Sequence, residues 1–343
     1  MMHPDAARLA FALGPAGPPP TPPDTIDAAL SRVWPQRERW AAWRARSSVH
    51  ALLEDTSRQL VALEHLGGTA VFAEASLFPA AFKRATSPPA VLFCQGDLRI
   101  LQHAKTIVAI VGSRAAFRRE LEMATAVATE AAAMGCTIVS GGAIGIDTAA
   151  HQGTLTAGGK TAVILGSGLD DLYPPRNRAL FSRVIEHGGL LLTPFALGTA
   201  PRRSHFPARN ALVAVASALV VVVAAAARSG ALSTARHAMK LGIPVAAFPG
   251  TQGCDVLLAK GQARPLRRAD DLGALLTGER TAMDESLMPI QREVLEALSM
   301  RASSAAMLST SLQRPLPEMS STLLELELDG HVVRGAGGIY CPL

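Results

Sequence analysis

Three short stretches of this chain place glycine and small polar residues directly after an apolar run. They are Val111-Gly112-Ser113-Arg114, Ser140-Gly141-Gly142-Ala143-Ile144-Gly145-Ile146-Asp147 and Leu165-Gly166-Ser167-Gly168. Glycine lets backbone N–H groups approach an anion, and a helix starting just beyond adds favourable partial charge. Glycine is also the ordinary residue of a tight strand-to-helix turn. One such stretch therefore says little, whereas three at the same sheet edge point to anion binding. Arg209 and Arg228 can each hold a phosphate through two parallel hydrogen bonds. Ser229, Ser233 and Thr234 can donate to phosphate or cap the helix they precede. Asp147 stands where a helix N-cap is expected.

Several chemistries are excluded or poorly supported. No G-x-x-x-x-G-K-[ST] occurs, so this is not a Walker ATPase, and no G-x-G-x-x-G with a following acid supports NAD binding. His151 and His205 could act as bases, and Ser113, Ser140 or Ser229 as nucleophiles. Hydrolysis at such an edge would need a positioned carboxylate. Asp147, Asp170, Asp171 and Glu186 read instead as cap, turn and surface residues, so no catalytic residue is assigned. Cys94, Cys136, Cys254 and Cys341 show no C-x-x-C spacing, which argues against a zinc site or disulfide scaffold and fits a reducing cytoplasm. No cofactor is expected. Aromatics are only 4% of the chain, so a surface that works mainly by stacking bases is not expected.

The elements that must carry these loops follow from periodicity. Apolar runs at Ile107–Val111, Thr137–Val139, Ala162–Leu165, Leu190–Leu192, Leu219–Val223 and Val245–Phe248 alternate with helical segments such as Arg118–Met134, Asp147–Ala157, Arg178–His187 and Ser233–Leu241. That alternation predicts a doubly wound, mostly parallel α/β sheet with helices on both faces. Ligands bind beyond the carboxyl ends of such strands. The apolar stretch Ala211–Ala227 is alanine-rich and short for a membrane span. It reads as a short helix followed by a buried strand. No membrane association and no secretory signal are expected.

Around this core the chain divides further. Residues 1–24 hold a proline-rich tail, with six prolines in the nine positions 15–23. Residues 25–68 read as a small helical domain, residues 69–104 as a connector leading into the core of 69–277, and residues 278–343 as three helices and a hairpin, the pattern of a winged helix. The net charge of +5 is unevenly spread: residues 105–268 carry +10 and residues 278–343 carry −4. A basic core attracts polyanions.

The motifs VAIVGSR (Val108–Arg114), SGGAIGID with TAAH (Ser140–His151), AVILGSGLDDLYPPRN (Ala162–Asn177), HFPARN (His205–Asn210), RSGALSTA (Arg228–Ala235) and VAAFPG (Val245–Gly250) together resemble the DprA/Smf DNA-processing proteins. The resemblance implies an extended Rossmann-like core, a SAM-like helical domain before it and a winged helix after it. It further implies a non-enzymatic homodimer that binds single-stranded DNA, protects incoming DNA in natural transformation and helps load RecA recombinase. Carried onto this chain, the DNA site comprises Gly112, Ser113, Arg114, Gly141, Gly142 and Gly145, with Lys160, Arg209, Asn210, Arg228, Ser229, Gly230 and Lys240 around it. Arg202 and Arg203 are added as compensating cations. They are needed because Ile144 and Ala211 stand where the family usually has Arg, while Pro194 and Ala224 stand where it usually has an acid. The alternatives are a nucleotide-binding enzyme or sensor, such as a nucleoside-monophosphate glycosidase, and a diverged scaffold with weakened DNA binding. The expected third helix of the winged domain carries Glu318, Glu325, Glu327 and Asp329 without Lys or Arg, so it is not expected to read duplex DNA.

Overall fold

A computed structural model describes residues 49–277, 287–300 and 302–342, together with Asp5, Ala6 and Leu9. The rest of the tail expected over 1–24, and most of the helical domain expected over 25–68, lie outside the described residues. Of that domain, helix α1 (Val49–His65) is described.

The apolar runs form parallel strands in which hydrophobic residues are covered on both faces, as their near-continuous apolarity requires. They are β3 (Ile107–Gly112), β4 (Thr137–Ser140), β5 (Lys160–Ile164), β6 (Leu190–Thr193), β7 (Leu219–Ala224) and β8 (Val245–Ala247). The period of two along each strand sorts the core into layers. On β7, Val220 and Val222 pack with α6 (His205–Ala216), α7 (Gly230–Lys240) and α8 (Gln252–Ala259). Leu219, Val221 and Val223 pack instead with α3 (Arg118–Ala133), α4 (Ile146–Thr156) and α9 (Leu272–Thr277). A third cluster covers β5 and β6 through Leu180, Phe181 and Val184 of α5 (Arg178–Glu186). The single turn α2 (Arg99–Gln102) precedes β3.

The connector expected over 69–104 is itself part of the sheet, which corrects that reading. It contributes β1 (Gly68–Phe72) and β2 (Val91–Gly96), which pair antiparallel with each other, and β2 pairs antiparallel with β6. β2 is an apolar run like the core strands, but β1 buries only Val71 and Phe72, so its pattern is weak. With the short β9 (Arg264–Pro265), the sheet order is β1-β2-β6-β5-β4-β3-β7-β8-β9. Strand order reverses at β3, which has β4 on one side and β7 on the other. A crevice opens beyond the carboxyl ends of the strands at such a reversal.

The C-terminal region has its own small core around Val294, Leu298, Leu308, Met319, Leu323 and Leu326. It comprises α10 (Pro289–Met300), β10 (Ser303–Ser304), α11 (Ala305–Ser311), α12 (Leu316–Leu328), β11 (Val332–Arg334) and β12 (Ile339–Pro342). The three strands are ordered β10-β12-β11. Three helices and a β-sheet wing match the winged-helix expectation. Ser304 caps α11, its hydroxyl accepting a hydrogen bond from Met307 N at 3.3 Å.

Candidate functional site

The crevice at the strand reversal is a cleft of about 340 Å³ lined by the first glycine loop, α6 and the start of α7. Its wall includes Gly112, Ser113, Arg114, Arg209, Asn210, Ser229 and Gly230, so seven of the fifteen sequence-predicted site residues meet in one place. Gly141 adjoins it in a smaller hollow shared with Arg114 and Arg209.

Asp147 organises the second glycine loop and is not its N-cap. Gly145 occupies the cap position of α4, and Asp147 lies within the first turn. Its Oδ2 accepts hydrogen bonds from Gly141 N at 3.1 Å and Ala143 N at 3.2 Å. Two further side chains clamp the same loop. Thr148 Oγ1 donates to Ala143 O at 2.8 Å, and Asn177 Nδ2 donates to Gly142 O at 2.8 Å. Gly145 has a φ of +86°, and a Cβ there would strike the Ser113 carbonyl oxygen. Its lack of a side chain lets the two glycine loops touch, an approach sealed by Ile146 N donating to Ser113 O at 3.2 Å. Gly142 and Gly145 are thus loop framework beneath the cleft rather than part of its wall.

Arg209 is the buried cation of the site. A Cβ on Gly141 would coincide with its guanidinium, so glycine there makes the space that Arg209 fills. Arg209 Nη1 lies 3.9 Å from Asp147 Oδ2, and both side chains are buried. Burial pushes the Asp147 carboxyl up and the Arg209 guanidinium down, and each charge partly offsets that for the other. The pairing is long and incomplete: Arg209 Nε is buried with no hydrogen-bond partner among the described residues. Ser229 caps α7 by position, yet its hydroxyl is likewise buried and unpartnered. Asn210 Nδ2 donates to Gly230 O at 3.1 Å and so ties α6 to the start of α7. Buried donors left open cost free energy unless a ligand completes them. A guanidinium, a hydroxyl and two glycine loops around one space suit a phosphate.

Phe206 and Tyr173 are functional candidates that composition concealed. The Arg114 and Arg209 guanidinium carbons lie 5.0 and 5.6 Å from the centroid of the Phe206 ring, within cation–π range. Tyr173 lies 6.1 Å from the same ring, and both line the small hollow. An aromatic fraction of 4% says nothing about where those rings gather. The FPARN spacing, which puts Phe206 one helical turn before Asn210, was the available signal.

The other predicted residues lie elsewhere. Lys160 begins β5 and is therefore at the opposite, amino-terminal edge of the sheet, where Nζ donates to His187 O at 2.8 Å. The structure does not bring it to the cleft. Lys240 ends α7 and lines a separate cavity. Arg202 and Arg203 are exposed in the segment before α6, and Arg228 is exposed just before α7. The two histidines considered as bases are structural. His151 is buried, and its Nδ1 lies 2.7 Å from Thr161 Oγ1. That hydroxyl already donates to Ile138 O, so Nδ1 carries the proton; Nε2 is buried without a partner among the described residues and burial disfavours the charged form, so the ring is neutral. His205 stacks on Phe195 at 4.3 Å. The described residues contain no cluster of His, Cys, Asp or Glu that could hold a metal ion, and no helix among them is long and apolar enough to cross a membrane.

Residues 69–277 match the family model for DNA recombination-mediator protein A, and residues 279–338 match the DprA winged helix domain. A Mycobacterium tuberculosis protein described as a DNA processing protein DprA is 39% identical over 225 residues, covering 61% of this chain and 57% of that protein. The chain thus aligns with little more than half the length of that relative. The X-ray structure of DNA processing protein A from Streptococcus pneumoniae superposes with a TM-score of 0.60 at 31% identity, covering 72% of this chain and 85% of that one. DNA processing protein A from Helicobacter pylori, whose structure concerns its single-stranded DNA binding mode, gives a TM-score of 0.56 at 31% identity, covering 62% and 97%. With the glycine loops, the buried arginine and both domain matches in agreement, this chain belongs to the DprA/Smf family of DNA-processing proteins.

Proposed function

We propose that the cleft grips the sugar–phosphate chain of single-stranded DNA, and that the protein works by binding rather than by catalysis. The observation that carries this reading is the buried Arg209, held by a distant Asp147; the arginine Nε, like the Ser229 hydroxyl in the same cleft, has no hydrogen-bond partner among the described residues. Arg114, Asn210 and the amide-rich loops complete the phosphate contacts, and Phe206 with Tyr173 offers faces for a base. Gly230 leaves room for close approach of the strand, and Gly112 and Ser113 line the same wall. Arg202, Arg203 and Arg228 extend the cationic rim. Among the described residues the one carboxylate lining the cleft is Asp147, and it is engaged by two loop amides and Arg209, which disfavours a hydrolase or glycosidase reading. The relative from H. pylori, with its single-stranded DNA binding mode, supports the same ligand. In the cell the protein would act in the cytoplasm as a homodimer that protects incoming DNA during natural transformation and helps load RecA onto it.

A fluorescent oligo-dT titrated at several salt concentrations tests the reading. Log affinity should fall linearly with log salt, with a slope of about −0.7 per phosphate neutralised, and excess duplex should compete poorly. Absence of binding in dilute buffer, or equal affinity for duplex, overturns it. Acceleration of RecA assembly on the bound strand, measured in the same buffer, tests the loading role.

A further inference from the structure

A second cavity, of about 480 Å³, lies on the other side of α6 from the cleft. Residues 206, 209, 210 and 213 of α6 face the cleft, while 207, 208, 211 and 212 face the cavity. At 100° per residue these sets occupy opposite faces of one helix. α7 also serves both sites: Gly230, Ala231 and Thr234 line the cleft, and His237 and Lys240 line the cavity. At 1.5 Å per residue, Lys240 lies about 9 Å further along α7 than Thr234. A strand covers that distance in about three nucleotides at the 3.4 Å spacing of stacked bases, and in fewer when stretched.

The cavity's chemistry is that of a nucleotide seat. Its walls are mostly apolar, with the rings of Pro89, Pro194, Pro207 and Phe195 among them. Phe195 is backed by the stacked ring of His205, which is itself anchored with Nδ1 3.2 Å from Gly166 O. The one charged lining residue is Lys240, which is exposed and has no ion-pair partner among the described residues. An aromatic ring among apolar neighbours, with a cation within reach, suits a base and its phosphate.

We infer that this cavity is a second nucleotide subsite, which takes a base of the same strand after it leaves the cleft and crosses α6. The inference rests on the cleft reading above and adds to it a second contact whose use depends on strand length. It makes Lys240 a DNA contact, but at the cavity and not at the glycine loops.

The test compares full-length protein with its Lys240→Glu and Ala211→Trp variants on oligo-dT of about 4 and about 16 nucleotides, the range of common single-strand site sizes. Lys240→Glu removes the cation at an exposed position, and Ala211→Trp fills the cavity. Circular dichroism melting reports whether each variant folds. For the long oligonucleotide each variant should weaken binding by about tenfold, the scale of one lost base contact. Lys240→Glu should also lower its salt slope by about 1. Binding of the short oligonucleotide should stay within twofold. Unchanged affinity of both folded variants for the long strand overturns the subsite while leaving the cleft reading standing. An equal loss at both lengths also overturns it, since the cavity would then not be separate. If unaltered protein binds neither length, the cleft reading itself fails and the subsite with it.

Discussion

At the scale of single residues, the molecule buries an arginine in the wall of the cleft and gives it only a distant counter-charge. Removing one member of a buried ion pair typically costs about 3–5 kcal/mol, because the survivor is stranded. Arg209→Met should therefore lower the thermal midpoint sharply, and Asp147→Asn added to it should recover much of that loss. The double variant should still bind oligo-dT weakly, with a salt slope reduced by about 1. Melting curves and salt titrations on the unaltered protein and the two variants separate the folding role of Arg209 from its ligand role. Recovery of binding along with stability would show that the guanidinium is structural only.

A second residue-scale prediction concerns His151. Burial holds its pKa down at about 3 against an ordinary 6.5. The unfolded chain thus takes up a proton below pH 6.5 that the folded chain refuses. Stability from this group is fully present above 6.5 and is lost as pH falls from there toward 3, by at most about 1.4 kcal/mol per pH unit. Urea midpoints between pH 7 and pH 4 should drop, and the drop should be shallower in His151→Gln. Parallel pH profiles for the two proteins would contradict the assignment.

At the scale of elements, loops are only as well positioned as what they stand on. The second glycine loop rests on α5: a Cβ on Gly142 would meet Val163 and Phe181. Phe181 is fully buried, so Phe181→Ala should cost about 3–5 kcal/mol. It should also loosen the loop and weaken oligo-dT binding, although Phe181 touches no ligand. Denaturant titration gives the first effect and fluorescence anisotropy the second. Unaltered affinity in a measurably destabilised variant would mean that the loop is held by Asp147, Thr148 and Asn177 alone. The helix–strand alternation that builds these supports was legible, because each core strand is a short apolar run and each helix repeats at 3.6. The antiparallel pair β1 and β2 was not, because nothing local marks which edge of a sheet an isolated apolar run will join.

At the scale of the whole molecule, what matters is where the charge sits rather than its total. Lys160→Glu and Arg114→Glu change the net charge equally. Only Arg114→Glu should weaken oligo-dT binding by more than tenfold, since Lys160 lies at the far edge of the sheet. Comparable losses in both would mean that binding follows the overall field. The C-terminal domain fits the same logic with the opposite sign. Its α12 buries Met319, Thr322, Leu323 and Leu326 and leaves Leu324, Glu325 and Leu328 exposed. Those exposed side chains offer no cation to a phosphate.

The order and spacing of six motifs were enough to identify the fold and the family, and to nominate one sheet edge for a ligand. Short-range pattern carries that information, because strand, turn and helix signals are written within a few residues of one another. Tertiary structure alone decided which candidates share the site. It brought Arg209 into the space left by Gly141 and joined Asp147 to the loop amides. It added Phe206 and Tyr173, and it sent Lys160 to the far edge and Lys240 to a second cavity. Those outcomes depend on which end of a strand a residue occupies and which face of a helix it shares, and packing between distant segments settles both.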